Sequence, residues 1–415
     1  MDNISKTIIL NLLPVHAGGG LQNALSFIET VACDSLLRGQ VKVVCNLGSR
    51  IHQVCCEDGI NCIPIAANKI ARLNFEMNCK ARFTCGLVCF TFFGPPMLNS
   101  QNHLINVVGC AYSNLFYPEI PFWSYMGPIN RGIKYMNDMV RKKAVARGDY
   151  WIFETGTIRK RAVQLFGFPE YRANVVRMAP SNLISRDRIK PELRSQIQKK
   201  LPEGFKVLYL SGAHPNKRQH LLYKIASYFW ESGLGKLVFV TTMDSSSLYA
   251  KSVMQPFEKN GLQKAIYNIG PIAPEDVSTV IDCCDAMCTF SLLESFSNNF
   301  VEAWKMGRPL LVTDADWARD ACGNAALYMN PEDAKSSAIA LFSLTARSDL
   351  LEQLVTNGER QLSLYPTPRE KNLQYIEHIE KARSLGFCKR EERLNIHWTH
   401  HQTFSDANNP TTIHS

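Results

Sequence analysis

Short apolar runs recur along the chain, each followed by a stretch with helical spacing. In the first half Ile8 to Leu13, Val41 to Asn46, Leu87 to Phe92, Ile105 to Val108 and Tyr150 to Phe153 read as buried strands. Leu21 to Ala32 and the basic stretch Thr157 to Phe166 read as helices. Such alternation predicts a parallel sheet covered by helices. The rhythm breaks between Met178 and Ser185, and the polar, helix-prone segment Ile189 to Leu201 marks a connection. A second alternation follows. Strands are expected at Lys206 to Leu210, Lys236 to Thr241, Ile266 to Ile269 and Ala286 to Phe290, with helices at Lys217 to Ser232, Leu248 to Asn260 and Pro274 to Cys283. Two alternating halves without an internal repeat fit an α/β protein of two facing Rossmann-like domains with a cleft between them. The expected division is 1–185 for the first domain, 186–365 for the second, a helical segment 366–384, and a polar tail 385–415 without regular structure, carrying His397, His400 and His401. In a polar terminal segment without periodicity, disorder is a better reading of those histidines than metal binding.

Composition narrows the function classes. The 415 residues are too many for one ordinary core, and no apolar run approaches the roughly 20 residues that span a bilayer. Met1 to Leu13 lacks the basic start and small-residue cleavage site of a secretory leader. Of fourteen cysteines, Cys45, Cys89, Cys110 and Cys288 lie in apolar stretches where cysteine packs as a small hydrophobe. The pairs Cys85/Cys89 and Cys284/Cys288 have no partner pair at zinc spacing. Inert thiols, no metal and a cytoplasmic protein are the expectation. The net charge of +9 is uneven, with Arg141, Lys142, Lys143, Arg159, Lys160 and Arg161 close together in sequence. These residues suggest a face for an anionic membrane at the inner leaflet, each basic group near the surface contributing about 1 kcal/mol. No nucleic-acid module accompanies the charge.

The most specific local pattern is Glu294-Ser-Phe-Ser-Asn-Asn-Phe-Val-Glu302-Ala-Trp-Lys-Met-Gly307. A strand ends in a carboxylate, a Ser/Asn turn follows, and a short helix carries a second carboxylate before a glycine stop and a new strand from Pro309 to Val312. A helix N-terminus beyond strand ends is an anion site. Carboxylates beside it bind hydroxyls of something that also carries phosphate, and a nucleotide sugar fits. The stretch from Ser291 to Pro309, with Gly323-Asn-Ala-Ala-Leu-Tyr-Met-Asn-Pro331 after it, closely resembles the donor-site signature of retaining GT-B glycosyltransferases. The nearest group is glycosyltransferase family four, the glycosyl transferases group 1.

That resemblance implies a GT-B fold whose last helix crosses back to the first domain. It also implies that Gly18, Gly19 and Gly20, in the turn after the first strand, lie against the donor diphosphate and the acceptor. Consecutive glycines and a helix start suit this on their own chemistry. A dehydrogenase is disfavoured, because G-x-G-x-x-G spacing is absent and no acid ends the second strand. Relatives usually carry an arginine next to the glycine of Ser211-Gly212 and a lysine about five residues on. Lys217 matches the lysine, Ala213 and His214 stand where the arginine would be, and Arg218 is a substitute. Gly270 and Ile272 are expected near the base by resemblance. The backbone around Ser297, Asn298 and Asn299 is expected to hold the β-phosphate, Glu302 the ribose and Glu294 the donor sugar, with Lys217 stabilising the leaving charge without metal. Asp314 and Asp316 read as a surface loop rather than a metal pair.

On the acceptor side the resemblance brings no histidine, since Asn106 to Asn114 contains none. Tyr112, Ser113, Asn114 and Glu154 are the candidates there, with the aromatic stretch Phe116 to Trp123 shaping the pocket and His103 structural. No carboxylate is placed as a nucleophile, so same-face attack is expected, the leaving phosphate taking the acceptor proton. The expected activity is metal-independent, retaining transfer of a sugar from a nucleotide-diphosphate donor, without a cofactor, to a glycan or lipid-linked acceptor in surface polysaccharide or lipopolysaccharide synthesis. The alternatives are a nucleotide-sugar epimerase on the same scaffold and a catalytically idle partner subunit.

Overall fold

Strands that are apolar on both faces are stable only when both faces are covered, and here they form two separate parallel sheets. The computed structural model describes residues 6–398. The first sheet has the order β3-β2-β1-β4-β5-β6-β7, from β1 Ile8–Asn11, β2 Val41–Asn46, β3 Cys62–Ile65, β4 Val88–Thr91, β5 Ile105–Cys110, β6 Tyr150–Phe153 and β7 Ala173–Val175. The second runs β10-β9-β8-β11-β12-β13, from β8 Phe205–Tyr209, β9 Leu237–Thr241, β10 Ile266–Asn268, β11 Ala286–Thr289, β12 Leu310–Thr313 and β13 Leu327–Met329. Helices of the first half include α1 Gly18–Cys33, α2 Arg50–Glu57, α3 Lys69–Met77, α4 Pro128–Val145 and α5 Gly156–Phe166. The second half has, among others, α6 Leu222–Glu231 and α7 Asn298–Lys305, and α8 Pro368–Leu385 and α9 Arg390–Leu394 end the described chain.

Each sheet reverses its strand order once. Ile8 of β1 pairs with both Val41 and Val88, and β8 lies between β9 and β11. Connections leaving the two neighbours of such a point diverge to opposite faces, which opens a crevice at the carboxyl ends of the strands. The Gly18 turn follows β1, the Ser211–Lys217 loop follows β8, and Glu294 follows β11, so all three meet at these crevices.

The helix α8 seals the first domain. Tyr375, Ile379 and Ala382 join the buried cluster built on Phe27, Phe90 and Phe92, and Asn372 Nδ2 donates to Ser26 O at 2.9 Å and Thr30 Oγ1 at 2.8 Å. On the other side Tyr365, just before α8, packs against Phe296 and Trp304 of the second domain.

Residues 385–398 were expected to lack regular structure, and the structure corrects this. Asp149 is fully buried and accepts from Asn106 N and Cys388 N, each at 2.8 Å, while Arg393 of α9 pairs with it. Trp398 packs on Phe116, Phe166 and Phe168 at 5.2–5.6 Å between ring centroids. A buried carboxylate needs donors, and this segment supplies two of them. Arg393→Ala should therefore destabilise the protein by about 1–3 kcal/mol, because Asp149 keeps its backbone donors but loses its cation; urea denaturation measures it. His400 and His401 lie outside the described residues.

Candidate functional site

A cavity of about 810 Å³ opens between the two sheets. From the first domain it is lined by Gly18, Gly19, Gly20, Phe93, Tyr112 and Glu154. From the second come Lys217, Ile272, Glu294, Ser297, Asn298, Asn299 and Glu302.

Two helices point their N-termini into it. Neither α1 nor α7 has a side-chain cap, so their first-turn N–H groups remain to be satisfied by something in the cleft. A Cβ on Gly19 would come within 3.1 Å of Asn298 Nδ2, so the two helix starts approach each other across the domains. Asn299 Nδ2 donates to Leu210 O at 2.9 Å, which fixes the start of α7 against the end of β8. Converging helix N-termini with free N–H groups favour an anion, each by about 0.3–1 kcal/mol at exposed sites and more when partly buried.

Lys217 and Glu294 form an ion pair, and Ser291 Oγ donates to the same glutamate oxygen at 2.7 Å. The loops that carry them are knitted together: Asn216 Nδ2 donates to Leu293 O at 2.9 Å, and Leu292 N to Asn216 O at 2.8 Å. Lys217 does not enter a helix as the sequence suggested. Pro215–Lys217 is a single 3₁₀ turn, Arg218 adopts a left-handed φ of 57°, and α6 begins only at Leu222.

Glu302 and Glu154 behave differently from Glu294. Both are buried, and burial raises each carboxyl from 4.5 to about 7. For Glu154 the nearby Glu294 adds to the rise, while Ser295 and Lys371 oppose it. Among the described residues no side chain or backbone group donates to Glu302, although it lines the cavity. Burial disfavours its ionised form, and hydroxyls of a bound ligand would supply the donors that favour it.

Several expected site residues fall elsewhere. Arg218 pairs with Glu332 and does not line the cavity, so it does not stand in for the missing arginine. His214 uses Nδ1 to accept from Asn216 N at 3.1 Å and packs edge-on against Tyr125 at 5.7 Å, outside the cavity lining; burial lowers its pKa. Gly270 has a φ of 90° but is not in the lining, whereas its neighbours Pro271 and Ile272 are. Ser113 is buried, and Asn114 donates to Asp138 at 2.8 Å, alongside Trp123 at 2.6 Å. Phe116 and Tyr117 lie in the hydrophobic core, so the aromatic stretch builds the domain more than the pocket. Asp314 is held by Arg319 through two bonds at 2.6 and 2.8 Å, and Asp316, the first residue of its helix, accepts from Trp317 N at 2.7 Å.

Sequence reasoning missed three contributors. Phe93 lines the cavity with a left-handed φ of 56°, rare for a bulky residue and held by the packing around it. The backbone N of Phe93 comes within 2.9 Å of where a Cβ on Gly109 would be, so β5 needs a glycine there. Lys371 of α8 is buried and donates to Asn23 Oδ1 at 2.6 Å; burial lowers it to about 8. Nothing in Pro-Arg-Glu-Lys distinguishes it from a surface lysine.

Comparison with known proteins places this arrangement. Residues 204–347 match the family model described as Glycosyl transferases group 1. A glycosyltransferase from Rickettsia africae aligns with a TM-score of 0.67 at 15% identity, over 91% of this chain and 98% of that one. The fold is GT-B. The Anabaena protein HepE, in complex with UDP and glucose, gives a TM-score of 0.65 at 16% identity over 91% and 100%. Sucrose-phosphate synthase from Thermosynechococcus elongatus gives 0.64 at 14% over 92% and 100%. No curated protein matches the chain by sequence. In this GT-B chain the family match lies within the second domain, where Lys217, Glu294 and Glu302 stand.

Proposed function

We propose that this GT-B protein is a retaining glycosyltransferase that moves a sugar from a nucleoside-diphosphate donor to an acceptor hydroxyl. The observation that carries the reading is the pair of uncapped helix starts facing each other across a cavity that also holds Lys217, Glu294 and an unpartnered, buried Glu302. The diphosphate occupies the N-termini of α1 and α7. Lys217 turns from Glu294 to the leaving phosphate and stabilises the charge that grows there, without metal. Glu294, released from the lysine, accepts from hydroxyls of the donor sugar, and Glu302 accepts from the ribose. Ile272 lies at the base. Attack comes from the face the leaving group departs, and the phosphate takes the acceptor proton.

A panel of UDP-, GDP- and dTDP-sugars tested by thermal shift identifies the donor, because a ligand bound only to the folded state raises the melting temperature by mass action. Product NMR should then show the donor's anomeric configuration kept, with turnover unchanged by EDTA. Inversion would sink the retaining mechanism. Sugar isomerised without any acceptor would identify an epimerase, and no nucleotide binding at all would favour an idle subunit.

The acceptor is lipid-linked in this reading. Ile129, Ile133, Met136 and Val140 form a helical stripe on α4, and all four are exposed, Ile129 by 80% and Val140 by 67%. Ile70, Leu73 and Met77 do the same on α3. Lys143, three residues after Val140 on α4, is exposed, and so is Lys160 on α5, whereas Arg161 is buried against Phe116 O and Tyr117, Arg159 is held by Ala173 O, and Arg141 pairs with Asp138. An apolar stripe with basic neighbours suits the interface of an anionic bilayer better than charge alone. Among the described residues no helix is long and apolar enough to cross a membrane. Sedimentation with phosphatidylglycerol vesicles should capture the protein, and Ile133→Glu with Val140→Glu should release it; binding unchanged by that double substitution would remove α4 from the membrane face.

A further inference from the structure

A second cluster lies outside the cavity lining, at the β2–β3 edge of the first sheet. His52 and Cys56 stand one turn apart on α2, so their side chains share a face. After α2 the chain reverses through Gly59, whose φ is 64°, and Ile60 N donates to Cys55 O at 2.8 Å. This tight return brings Cys62, the first residue of β3, beneath the last turn of the helix. His52 Nε2 and the sulfurs of Cys56 and Cys62 all lie within 4.8 Å of one another.

We propose that His52, Cys56 and Cys62 form a binding site for a thiophilic divalent cation of the Zn²⁺ type, separate from the transferase site. The geometry favours an ion over a chance cluster of thiols. A tetrahedral ion with metal–sulfur and metal–nitrogen distances of about 2.3 and 2.0 Å holds its sulfur and nitrogen about 3.5 Å apart. Cys56 Sγ and His52 Nε2 are already 3.7 Å apart. Two thiolates and an imidazole are also the donor set that soft and borderline cations select over magnesium or calcium. Cys56 is exposed and His52 half-buried, so the ion has an entry path and its fourth position faces solvent. Cys45 is buried on β2 beside Cys62 and backs the site from within the core.

Binding balances as a proton exchange. The two thiols lose their protons to solvent, and the imidazole proton moves from Nε2 to Nδ1. That move gives up the long contact in which Gly48 N donates to His52 Nδ1 at 3.3 Å. Ser49, which caps α2 through His52 N at 3.2 Å, keeps the histidine's backbone in place throughout. In this proposal these two cysteines depart from the inert thiols expected from sequence. Their spacing from His52 was visible, but the turn that folds Cys62 back was not.

The test is titration of the reduced, untagged full-length protein with Co²⁺ under anaerobic conditions. One equivalent should produce thiolate-to-cobalt charge transfer in the near ultraviolet and the intense visible bands of a tetrahedral ion, both displaced by Zn²⁺. Cys56→Ser and Cys62→Ser should each weaken binding at least about tenfold, as loss of a ligand requires. Cys56 is exposed, so its substitution leaves the core intact and a negative result there is informative. Absence of the thiolate band would overturn the proposal. So would a spectrum unchanged in Cys62→Ser, which would place the ion on other histidines, or recovery of a Cys56–Cys62 disulfide in place of the ion.

Discussion

Replacing Lys217 with alanine should lower kcat for sugar transfer by about 10²–10³-fold, the usual loss when one donor to a developing oxyanion is removed. The size of the effect follows from its partner. Lys217 pairs with Glu294, and Ser291 holds that glutamate in place. Without the lysine, the helix starts at Gly18 and Asn298 must stabilise the leaving diphosphate alone, next to an uncompensated carboxylate. Repulsion between that carboxylate and the phosphates should also weaken donor binding. Lys217→Arg should recover part of the rate, since it restores the charge but not the reach. Glu294→Ala should fall in the same range, because it removes the acceptor for the sugar and leaves the lysine misdirected. Steady-state kinetics with the donor found by thermal shift decide the matter, and a Lys217→Ala rate near that of the parent would remove the pair from the reaction.

Glu302→Gln should do two opposite things, and their combination is diagnostic. The Glu302 carboxyl is raised to about 7 by burial. A carboxyl raised in the folded state holds its proton more tightly folded than unfolded. Its contribution to stability is therefore fully present below the ordinary value of 4.5 and is lost as pH rises through about 7. A glutamine has no such loss, so at pH 8 the ligand-free variant should be more stable than the parent by up to about 3 kcal/mol, with no gain at pH 4. Nucleotide binding should move the other way. If ribose hydroxyls donate to the ionised form, as proposed, affinity of the parent for the donor nucleotide found by thermal shift should fall about tenfold per pH unit below 7. In the variant affinity should be weaker by about 1.5–3 kcal/mol at pH 8, and the part of the pH dependence due to Glu302 should be absent. Glu154, also raised to about 7, remains in both proteins as an internal control. Calorimetry across this range, with thermal melts alongside, measures both halves. A variant that binds the donor nucleotide as tightly as the parent at every pH would take Glu302 out of the proposed nucleotide site.

How much of this could be read from sequence depended on how each residue earns its burial. β6, Tyr-Trp-Ile-Phe, was legible because all four residues are buried, as a central parallel strand requires. β3, Cys-Ile-Pro-Ile, was not, because an edge strand may be half-exposed and may carry proline. α4 escaped for the opposite reason: its apolar stripe faces outward, and its charges read as a basic run. The unit from Glu294 to Glu302 was legible as chemistry because turn, helix and both carboxylates are contiguous. Lys217 was found, yet its setting was misjudged, since a left-handed Arg218 delays the helix to Leu222. Arg218 itself looked like a substitute cation only until Glu332 was seen beside it, more than a hundred residues later in the chain. Contacts of that range, Lys371 with Asn23 among them, leave no local trace.

The return of α8 to the first domain bears on the order in which the chain becomes structured as it is made. Tyr375, Ile379 and Ala382 belong to the same buried cluster as Phe27 and Phe90, so the N-terminal core stays open to water until the C-terminal residues have left the ribosome. The second domain's inner cluster, from Val207 to Leu354, closes earlier in synthesis. Domains usually fold in the order they emerge. Here the first to be synthesised is the last to be completed, and a chain stopped short of α8 would leave the apolar face of α1 around Phe27 exposed.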